Sequence, residues 1–172
     1  MFGMSYESSA KRYLNTFLSM LPQNFYELPK YIQQINALGA AILKTNYALH
    51  CHAKLDLGAT RYVIVGSNFV IKIDKKSDEY FIPKYGNNQS EFTFFKKYSA
   101  VLPLCPCQMI HKNDHSYLIM PKCKKVGKLR FENCFDSNDF LDYNLFDVHE
   151  NNIGLLNKTP VIIDYAANKE ER

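Results

Sequence analysis

The sequence predicts an α+β protein in which a pair of helices precedes a five-stranded antiparallel sheet with one helix packed on it. Three observations predict this class. Residues 1–50 have apolar side chains at helical spacing. Beyond residue 51, short β-rich runs are separated by turn-forming residues. One further helical pattern, Ser90–Tyr98, interrupts these runs after the third of them.

The first fifty residues contain two helical patterns. The second is expected from about Leu28 to Leu49, and Ser8 or Ser9 is expected to cap the first. We therefore expect residues 1–50 to form a helical extension that buries its apolar face on the sheet or on a partner. The apolar positions of the first pattern are Tyr13, Leu14, Phe17, Leu18 and Leu21.

Seven β-type runs predict the sheet and one additional hairpin. Gly66-Ser67-Asn68 and Asn157-Lys158-Thr159 are typical of hairpin turns. A short helix is expected within Ser137–Phe146, between the fifth run and the sixth. The first five runs, with the Ser90–Tyr98 helix between the third and the fourth, give the five-stranded sheet. The runs are His52–Leu57, Tyr62–Val65, Phe69–Ile73, Cys107–His111, Ser116–Met120, Ile153–Leu156 and Val161–Asp164.

Composition and charge narrow the classes of function. The 172 residues are 47% hydrophobic, which is typical of a globular domain and not of a disordered chain. The net charge of +4 is spread along the chain, so no nucleic-acid partner is predicted. No apolar run approaches the roughly 18 residues of a membrane span, so no membrane partner is predicted. Without a signal-peptide pattern, the five cysteines indicate free thiols and a cytoplasmic location.

Five polar residues stand in an order that suits phosphoryl transfer. Lys72 lies inside an apolar strand and needs an anionic partner, which Glu91 can supply from the next helix. Asp147 is followed by Asn152 five residues later, and Asp164 ends a later apolar run. Carboxylate and amide oxygens of this kind suit a hard cation such as Mg²⁺ or Mn²⁺. The order and the elements together predict an ATP and metal site.

In this order, the motifs resemble those of the protein-kinase-like superfamily, and the chain is similar to the small kinases of phages and bacterial effectors. The resemblance covers about residues 53–166. It implies a kinase-like small lobe, the five-stranded antiparallel sheet plus helix, at residues 51–122. It also implies a drastically reduced catalytic-loop lobe at residues 123–172. These two lobes make up a minimal kinase-like domain, residues 51–172, which follows the N-terminal helical extension, residues 1–50.

The resemblance also implies a role for each of the five polar residues. Lys72 would contact the α- and β-phosphates of ATP, and Glu91 would orient its ammonium group. Asp147 corresponds to the catalytic base that accepts a hydroxyl proton from the substrate. Asn152 and Asp164 would bind Mg²⁺ or Mn²⁺.

Other implied contacts surround the adenine and the phosphates. Met120 corresponds to the gatekeeper of the family, and the hinge would follow it. There, the Pro121 carbonyl and the Cys123 amide would face adenine. The glycine-rich loop is reduced to residues 58–61, in which Gly58 is the single glycine, and Arg61 or backbone amides are expected to cover the phosphates instead.

The resemblance implies an ATP- and Mg²⁺-dependent phosphotransferase, a minimal protein kinase that acts on a partner or host protein. The alternative is a pseudokinase-type binding module that uses the same fold to bind or inhibit a partner protein. The five polar residues favour activity, whereas the reduced C-terminal lobe favours the binding module. The sequence leaves the substrate and the oligomeric state open.

Each site residue also has a structural interpretation when it is considered alone. Lys72 could reach solvent from an edge strand, and Glu91 could be a solvated helix residue. Asp147 and Asn152 could cap a loop, and Asp164 could end a strand. A zinc site is a further alternative, built from four Cys and His residues in and beside the fourth β-type run. Its candidate ligands are Cys105, Cys107, His111 and His115.

Overall fold

The fold is taken from a computed structural model, which describes residues 5–28, 31–58, 60–75, 87–126, 137–145 and 148–165. Within these ranges, the protein has α+β architecture with three α-helices and eight strands. The helices are α1 (Tyr6–Met20), α2 (Tyr31–Leu49) and α3 (Asn88–Tyr98). The strands are β1 (Lys54–Leu57), β2 (Arg61–Val65), β3 (Phe69–Asp74), β4 (Gln108–Lys112), β5 (His115–Pro121), β6 (Lys124–Lys125), β7 (Ile153–Leu156) and β8 (Thr159–Ile162).

Strands β1 to β5 form the five-stranded antiparallel sheet that the sequence predicts. Their spatial order is β1-β2-β3-β5-β4, so β3 lies at the centre. Each neighbouring pair is antiparallel. Lys72 on β3 pairs with Val63 on one side and with Leu118 on the other. The lysine therefore projects from the middle of the sheet and not from an exposed edge.

Helix α1 begins earlier than the sequence analysis expects. The hydroxyl of Ser5 accepts a hydrogen bond from the backbone amide of Ser8 at 3.2 Å, so Ser5 is the cap. The expectation of a cap at Ser8 or Ser9 is wrong because the helical spacing of Tyr13 continues back through Ala10 to Tyr6, about two turns earlier. Helix α2 begins at Tyr31, a few residues after the expected start, and it ends at Leu49 as expected.

The two helices cover one face of the large sheet. Alternate residues of the central strands face them, because successive side chains in a strand point to opposite faces. The ring centroids of Tyr13 on α1 and Phe69 on β3 are 5.3 Å apart. The helical segment therefore shares a hydrophobic core with the sheet, as the apolar stripe predicts. Buried members include Ala10, Tyr13, Leu14, Phe17, Leu38, Tyr62, Ile64, Ile71, Ile73, Tyr117 and Ile119.

Asn46 connects the end of α2 to the residue before β1 by hydrogen bonds. Its side-chain amide donates to the carbonyl of Ala53 at 2.9 Å, and its oxygen accepts from the Ala53 amide at 3.0 Å. The same oxygen accepts a hydrogen bond from the Tyr13 hydroxyl at 3.3 Å. One side chain thus joins both helices to the first strand.

Replacing Asn46 by Ala is expected to lower the free energy of unfolding by about 1–3 kcal/mol, because the backbone groups of Ala53 lose their partner. Urea unfolding followed by circular dichroism measures this change. Asn36→Ala, at an exposed position of the same helix, is the matched control and is expected to stay within about 0.5 kcal/mol of wild type. Equal stabilities for the two variants would contradict the bridging role of Asn46.

The opposite face of the sheet packs against α3 and a second, small sheet. In this sheet, the described strands have the order β6-β7-β8 and are antiparallel. Leu118 and Met120 of β5 share a core with Phe94 of α3 and with Ile153 and Ile162 of the small sheet. Two layers therefore meet along this face, and polar residues between them can form a site.

The last hairpin and the connection before it differ in detail from expectation. The turn consists of Asn157 and Lys158, whose φ angles of 50° and 71° are typical of a tight hairpin turn. Strand β8 ends at Ile162, so Asp164 follows the strand instead of ending it. The segment Ser137–Tyr143 is 3₁₀-helical. Strand β6 was not predicted, because two adjacent lysines carry no alternating apolar pattern.

Candidate active site

Within the described part of the chain, four charged side chains meet on the sheet face that carries α3. They come from three separate elements and one loop: Arg61 from β2, Lys72 from β3, Glu91 from α3, and Asp164 from the segment after β8. By strand alternation, Arg61 and Lys72 point away from the face that packs on α1 and α2. The large sheet, α3 and the segment after β8 therefore all contribute side chains to one site.

Glu91 is the centre of this cluster. Its carboxylate is fully buried, and the ammonium of Lys72 lies 2.8 Å from Oε1 and 3.0 Å from Oε2. The guanidinium of Arg61 also donates to Oε2. The backbone amide of Tyr165 lies 3.4 Å from Oε1. The structure thus contains the Lys72–Glu91 ion pair that the sequence predicts, and the pair's role in phosphate binding stays a prediction.

Asp164 occupies the open side of the cluster. Arg61 Nη2 donates to Asp164 Oδ1 at 2.8 Å, and Lys72 Nζ lies 3.8 Å from the same oxygen. The Asp164 side chain is 42% exposed, whereas those of Arg61 and Lys72 are 5% and 6% exposed. Lys72 also donates to the carbonyl of Ile163 at 3.0 Å. The carboxylate of Asp164 is therefore held by cations and still accessible from solvent.

The electrostatics of the cluster keep Arg61 charged. Burial alone lowers the pKa of Arg61, but the carboxylates of Glu91 and Asp164 outweigh burial and raise this pKa above its usual value. Burial also raises the pKa of Asp74, which lies opposite Arg61 in the register of β2 and β3. The site is thus a low-dielectric environment, in which each ionised group is stabilised by the opposite charges next to it.

Asn88 explains how α3 presents Glu91 to the sheet. Its side-chain amide is buried and donates to the carbonyls of Lys72 at 2.9 Å and Ser116 at 3.0 Å. Its backbone amide donates to Asp74 Oδ1 at 3.0 Å. Because residues three apart share a helix face, Glu91 faces the same strands as Asn88. Sequence reasoning missed Asn88, although its spacing from Glu91 was a usable signal.

The segment before β7 positions Asp164 through the backbone. The carbonyl of Asn152 accepts a hydrogen bond from the Ile163 amide at 2.8 Å, one residue before Asp164. The Asn152 side-chain nitrogen lies 3.2 Å from His149 Nε2. Asn152 and Asp164 therefore belong to neighbouring segments, while the assigned base Asp147 lies outside the described residues.

The two residues assigned as metal ligands, Asn152 and Asp164, match a magnesium site only in part. Over the ranges that the structure describes, no group of three His, Cys, Asp or Glu residues could hold a metal. Mg²⁺ is often bound through one or two carboxylates together with substrate phosphates and water. The half-exposed carboxylate of Asp164 fits this second mode. The side-chain amide of Asn152 contacts His149, so its part in metal binding stays a prediction. The same finding leaves the zinc alternative at Cys105, Cys107 and the two histidines without support.

The assigned hinge connects the two sheets. Met120 is 2% exposed, and Pro121 is the last residue of β5. The Lys122 amide donates to the carbonyl of Asn68 at 3.0 Å, and Cys123 is half-buried before β6 begins. The roles of Met120, Pro121 and Cys123 as gatekeeper and hinge, and their contacts with adenine, stay predictions.

The loop before β2 differs from the expected phosphate cover. The carbonyl of Gly58 accepts a hydrogen bond from Lys75 Nζ. The sequence leaves two candidates for the cover of the phosphates, Arg61 and backbone amides. The guanidinium of Arg61 lies against Glu91 and Asp164, and a cover by backbone amides stays a prediction. The sequence gives no signal for the contact between Arg61 and Asp164, because they are 103 residues apart in the chain.

A pair of cysteines lies beside the hinge. The sulfur atoms of Cys105 and Cys123 are 3.6 Å apart. The hydrogen bond between the two thiols raises the pKa of the buried Cys105 and lowers that of Cys123. The more accessible thiol of the pair is therefore the one that ionises first.

Cys123 is expected to react with iodoacetamide faster than Cys51 at pH 8, because a lowered pKa increases the thiolate fraction. Cys51 is the matched control: it is also half-buried and free, but burial raises its pKa. Timed alkylation, digestion and mass spectrometry give both rates. Faster alkylation of Cys51 would contradict the assignment.

Comparisons with known proteins give little similarity. No protein-family model matches the chain, and no curated protein matches it. A crystal structure of WbdD at 2.2 Å resolution is similar, with a TM-score of 0.41 and 14% sequence identity. The match covers 70% of this chain and 33% of WbdD. This similarity is too low to assign a family or an activity.

Proposed function

We propose that this protein is an ATP- and Mg²⁺-dependent phosphotransferase of the protein-kinase-like superfamily, a minimal kinase that acts on a partner protein. The observation that carries the proposal is the buried Lys72–Glu91 ion pair beside the half-exposed carboxylate of Asp164. A five-stranded antiparallel sheet with α3 on one face supports it, because this is the architecture that the motif order implies.

The arrangement supplies the positioning and the charge that phosphoryl transfer needs. Glu91 fixes the ammonium of Lys72 in the centre of β3, where it can neutralise phosphate oxygens. Asp164, with Asn152 beside its segment, would hold Mg²⁺, which supplies charge neutralisation for the phosphates when it is bound. Met120 would limit how far adenine enters the cleft, and the hinge after β5 would contact its edge. The two hydrophobic layers above and below exclude water from Lys72.

Phosphate transfer from γ-labelled ATP tests the proposal. Wild-type protein with Mg²⁺ is expected to label itself or an added partner protein. Asp164→Ala is expected to lower the rate roughly hundredfold or more, since charge stabilisation is the main contribution to this chemistry. Asp56→Ala, at an exposed position of β1, is the matched control and should keep the wild-type rate. Equal rates for both variants would contradict the proposed role of Asp164.

A pseudokinase-type binding module is the second candidate, and one observation favours it. Arg61 already pairs with the carboxylate that would bind the metal, at 2.8 Å. A site neutralised in this way can bind nucleotide or a partner protein without turning ATP over. Nucleotide binding without any label transfer, in the presence of candidate partners, would assign the protein to this class.

A further inference from the structure

The thiols of Cys105 and Cys123 form a contact pair that the proposed phosphoryl transfer does not use. Their sulfur atoms are 3.6 Å apart, although 18 residues separate the two cysteines in the chain. The Pro121 carbonyl oxygen lies 4.0 Å from the Cys105 sulfur and 3.9 Å from the Cys123 sulfur. Since a disulfide holds its sulfurs about 2 Å apart, the two atoms need to approach by only roughly 1.5 Å to form one.

The backbone around the pair holds both cysteines in place. The Cys105 amide donates to the carbonyl of Ile162 at 2.8 Å, and the Cys105 carbonyl accepts from the Tyr165 hydroxyl at 2.8 Å. The Cys123 side chain lies against the backbone of β7, because a Cβ atom on Gly154 would lie only 2.4 Å from Cys123 Cβ. The packed backbone on both sides therefore determines the contact between the sulfurs.

The two thiols differ in access and in acidity. Cys105 is fully buried, whereas Cys123 is half-buried and can be reached from solvent. The hydrogen bond between them lowers the pKa of Cys123 and raises that of Cys105. Cys107, by contrast, is a buried cysteine whose pKa burial raises to about 11. Oxidant-sensitive cysteines are accessible, have a lowered pKa and often lie next to a second thiol, and Cys123 has these three properties.

We propose that Cys123 and Cys105 are a peroxide-sensitive dithiol that closes to a reversible disulfide. The Cys123 thiolate attacks one oxygen of hydrogen peroxide, so that a sulfur–oxygen bond forms and the oxygen–oxygen bond breaks. The departing hydroxide takes a proton from solvent and becomes water. The Cys105 sulfur then attacks the Cys123 sulfenic acid, the sulfur–sulfur bond forms, and the hydroxyl leaves as a second water with the Cys105 proton. Two thiols are oxidised and one peroxide is reduced to two waters.

The burial of Cys105 suits the second step of this sequence. Its sulfur is shielded from the oxidant but already lies against the sulfur that it attacks. The hydrogen bond that raises the pKa of Cys105 ends when Cys123 is oxidised, because no thiolate is left to accept it. The disulfide would join the segment bonded to β8 through Ile162 to the connection between β5 and β6, and so link the two sheets covalently.

The test treats the full-length protein with hydrogen peroxide at neutral pH and counts free thiols after denaturation. Cys105→Ser keeps a hydroxyl donor next to Cys123 but cannot form a disulfide, and Cys123→Ser removes the attacking thiol. Cys107→Ser removes a buried thiol two residues from Cys105 and is the matched control. Dimedone traps any sulfenic acid, and mass spectrometry of digests prepared without reductant identifies the linked cysteines. Circular dichroism verifies that each variant is folded.

Wild type and Cys107→Ser are expected to lose two thiols per molecule, with Cys105 linked to Cys123, and to regain both thiols with dithiothreitol. Cys123→Ser is expected to lose thiols at least about tenfold more slowly than wild type, since its attacking thiolate is absent. In Cys105→Ser, the oxidation is expected to stop at a sulfenic acid, so that dimedone labels Cys123.

Three results would overturn the inference. These are thiol loss in Cys123→Ser at the wild-type rate, a disulfide from Cys123 to a cysteine other than Cys105, and dimedone on Cys123 in wild type while Cys105 stays reduced. The linked pair in wild type decides the question even where a variant does not fold. No arm contains nucleotide or metal, so the inference and the proposed function are tested separately.

Discussion

Replacing Glu91 by Gln is expected to lower the free energy of unfolding by about 3–5 kcal/mol, since it leaves buried cations without their main partner. Glu91 is fully buried and contacts both Lys72 and Arg61. After the substitution, Asp164, which is partly in solvent, is the carboxylate that the structure still describes within 4 Å of both cations. Urea unfolding at neutral pH measures the loss.

A matched control separates this effect from the loss of a negative charge in general. Glu27→Gln changes an exposed glutamate near the start of the chain and is expected to change stability by less than about 0.5 kcal/mol. If Glu91→Gln were as stable as Glu27→Gln, Glu91 would not be the electrostatic centre of the site.

Replacing Lys72 by Met is expected to reduce the affinity for an ATP analogue with Mg²⁺ at least about hundredfold, while the protein stays folded. The nucleotide loses its central cation, since Lys72 would contact the phosphates. The fold survives because Arg61 still neutralises Glu91, so no buried carboxylate is left unpaired. Lys72→Met should therefore lose nucleotide affinity and keep its stability, whereas Glu91→Gln should lose stability.

Calorimetry gives the affinity and thermal unfolding gives the stability of the Lys72 variant. Lys54→Met, at an exposed position of the same sheet, controls for the loss of one positive charge, and it should match wild type in both measurements. Unchanged nucleotide affinity in Lys72→Met would remove Lys72 from the binding site. Unfolding of this variant under native conditions would show instead that Arg61 cannot replace Lys72 as the partner of Glu91.

Much of the fold could be predicted because local patterns determine it. Phe69–Ile73 and Ser116–Met120 were predicted as strands, and the structure extends them by only one or two residues at their ends. Apolar side chains in these runs pack on both faces of the sheet, so the strands follow from the sequence. The strand order β1-β2-β3-β5-β4 was not predicted. The Lys72–Glu91 pair was predictable, since a lysine in an apolar strand requires a buried partner.

The rest of the site depends on contacts between residues that are far apart in the chain. Arg61 meets Asp164 because Arg61 and the segment after β8 both reach Glu91 on α3. Asn88 joins α3 to two strands through its side chain, a role that periodicity does not reveal. The short strand β6 forms because β7 lies next to it, although its own residues have no strand pattern. Tertiary packing, and not propensity, determines these features.

A crystal structure of the protein with Mg²⁺ and a non-hydrolysable ATP analogue tests the nucleotide site most directly. We expect the phosphates within hydrogen-bonding distance of Lys72 Nζ, the metal on Asp164, and adenine against the backbone of Pro121 and Cys123. An analogue bound elsewhere on the protein, or no analogue bound at saturating concentration, would contradict the proposed function.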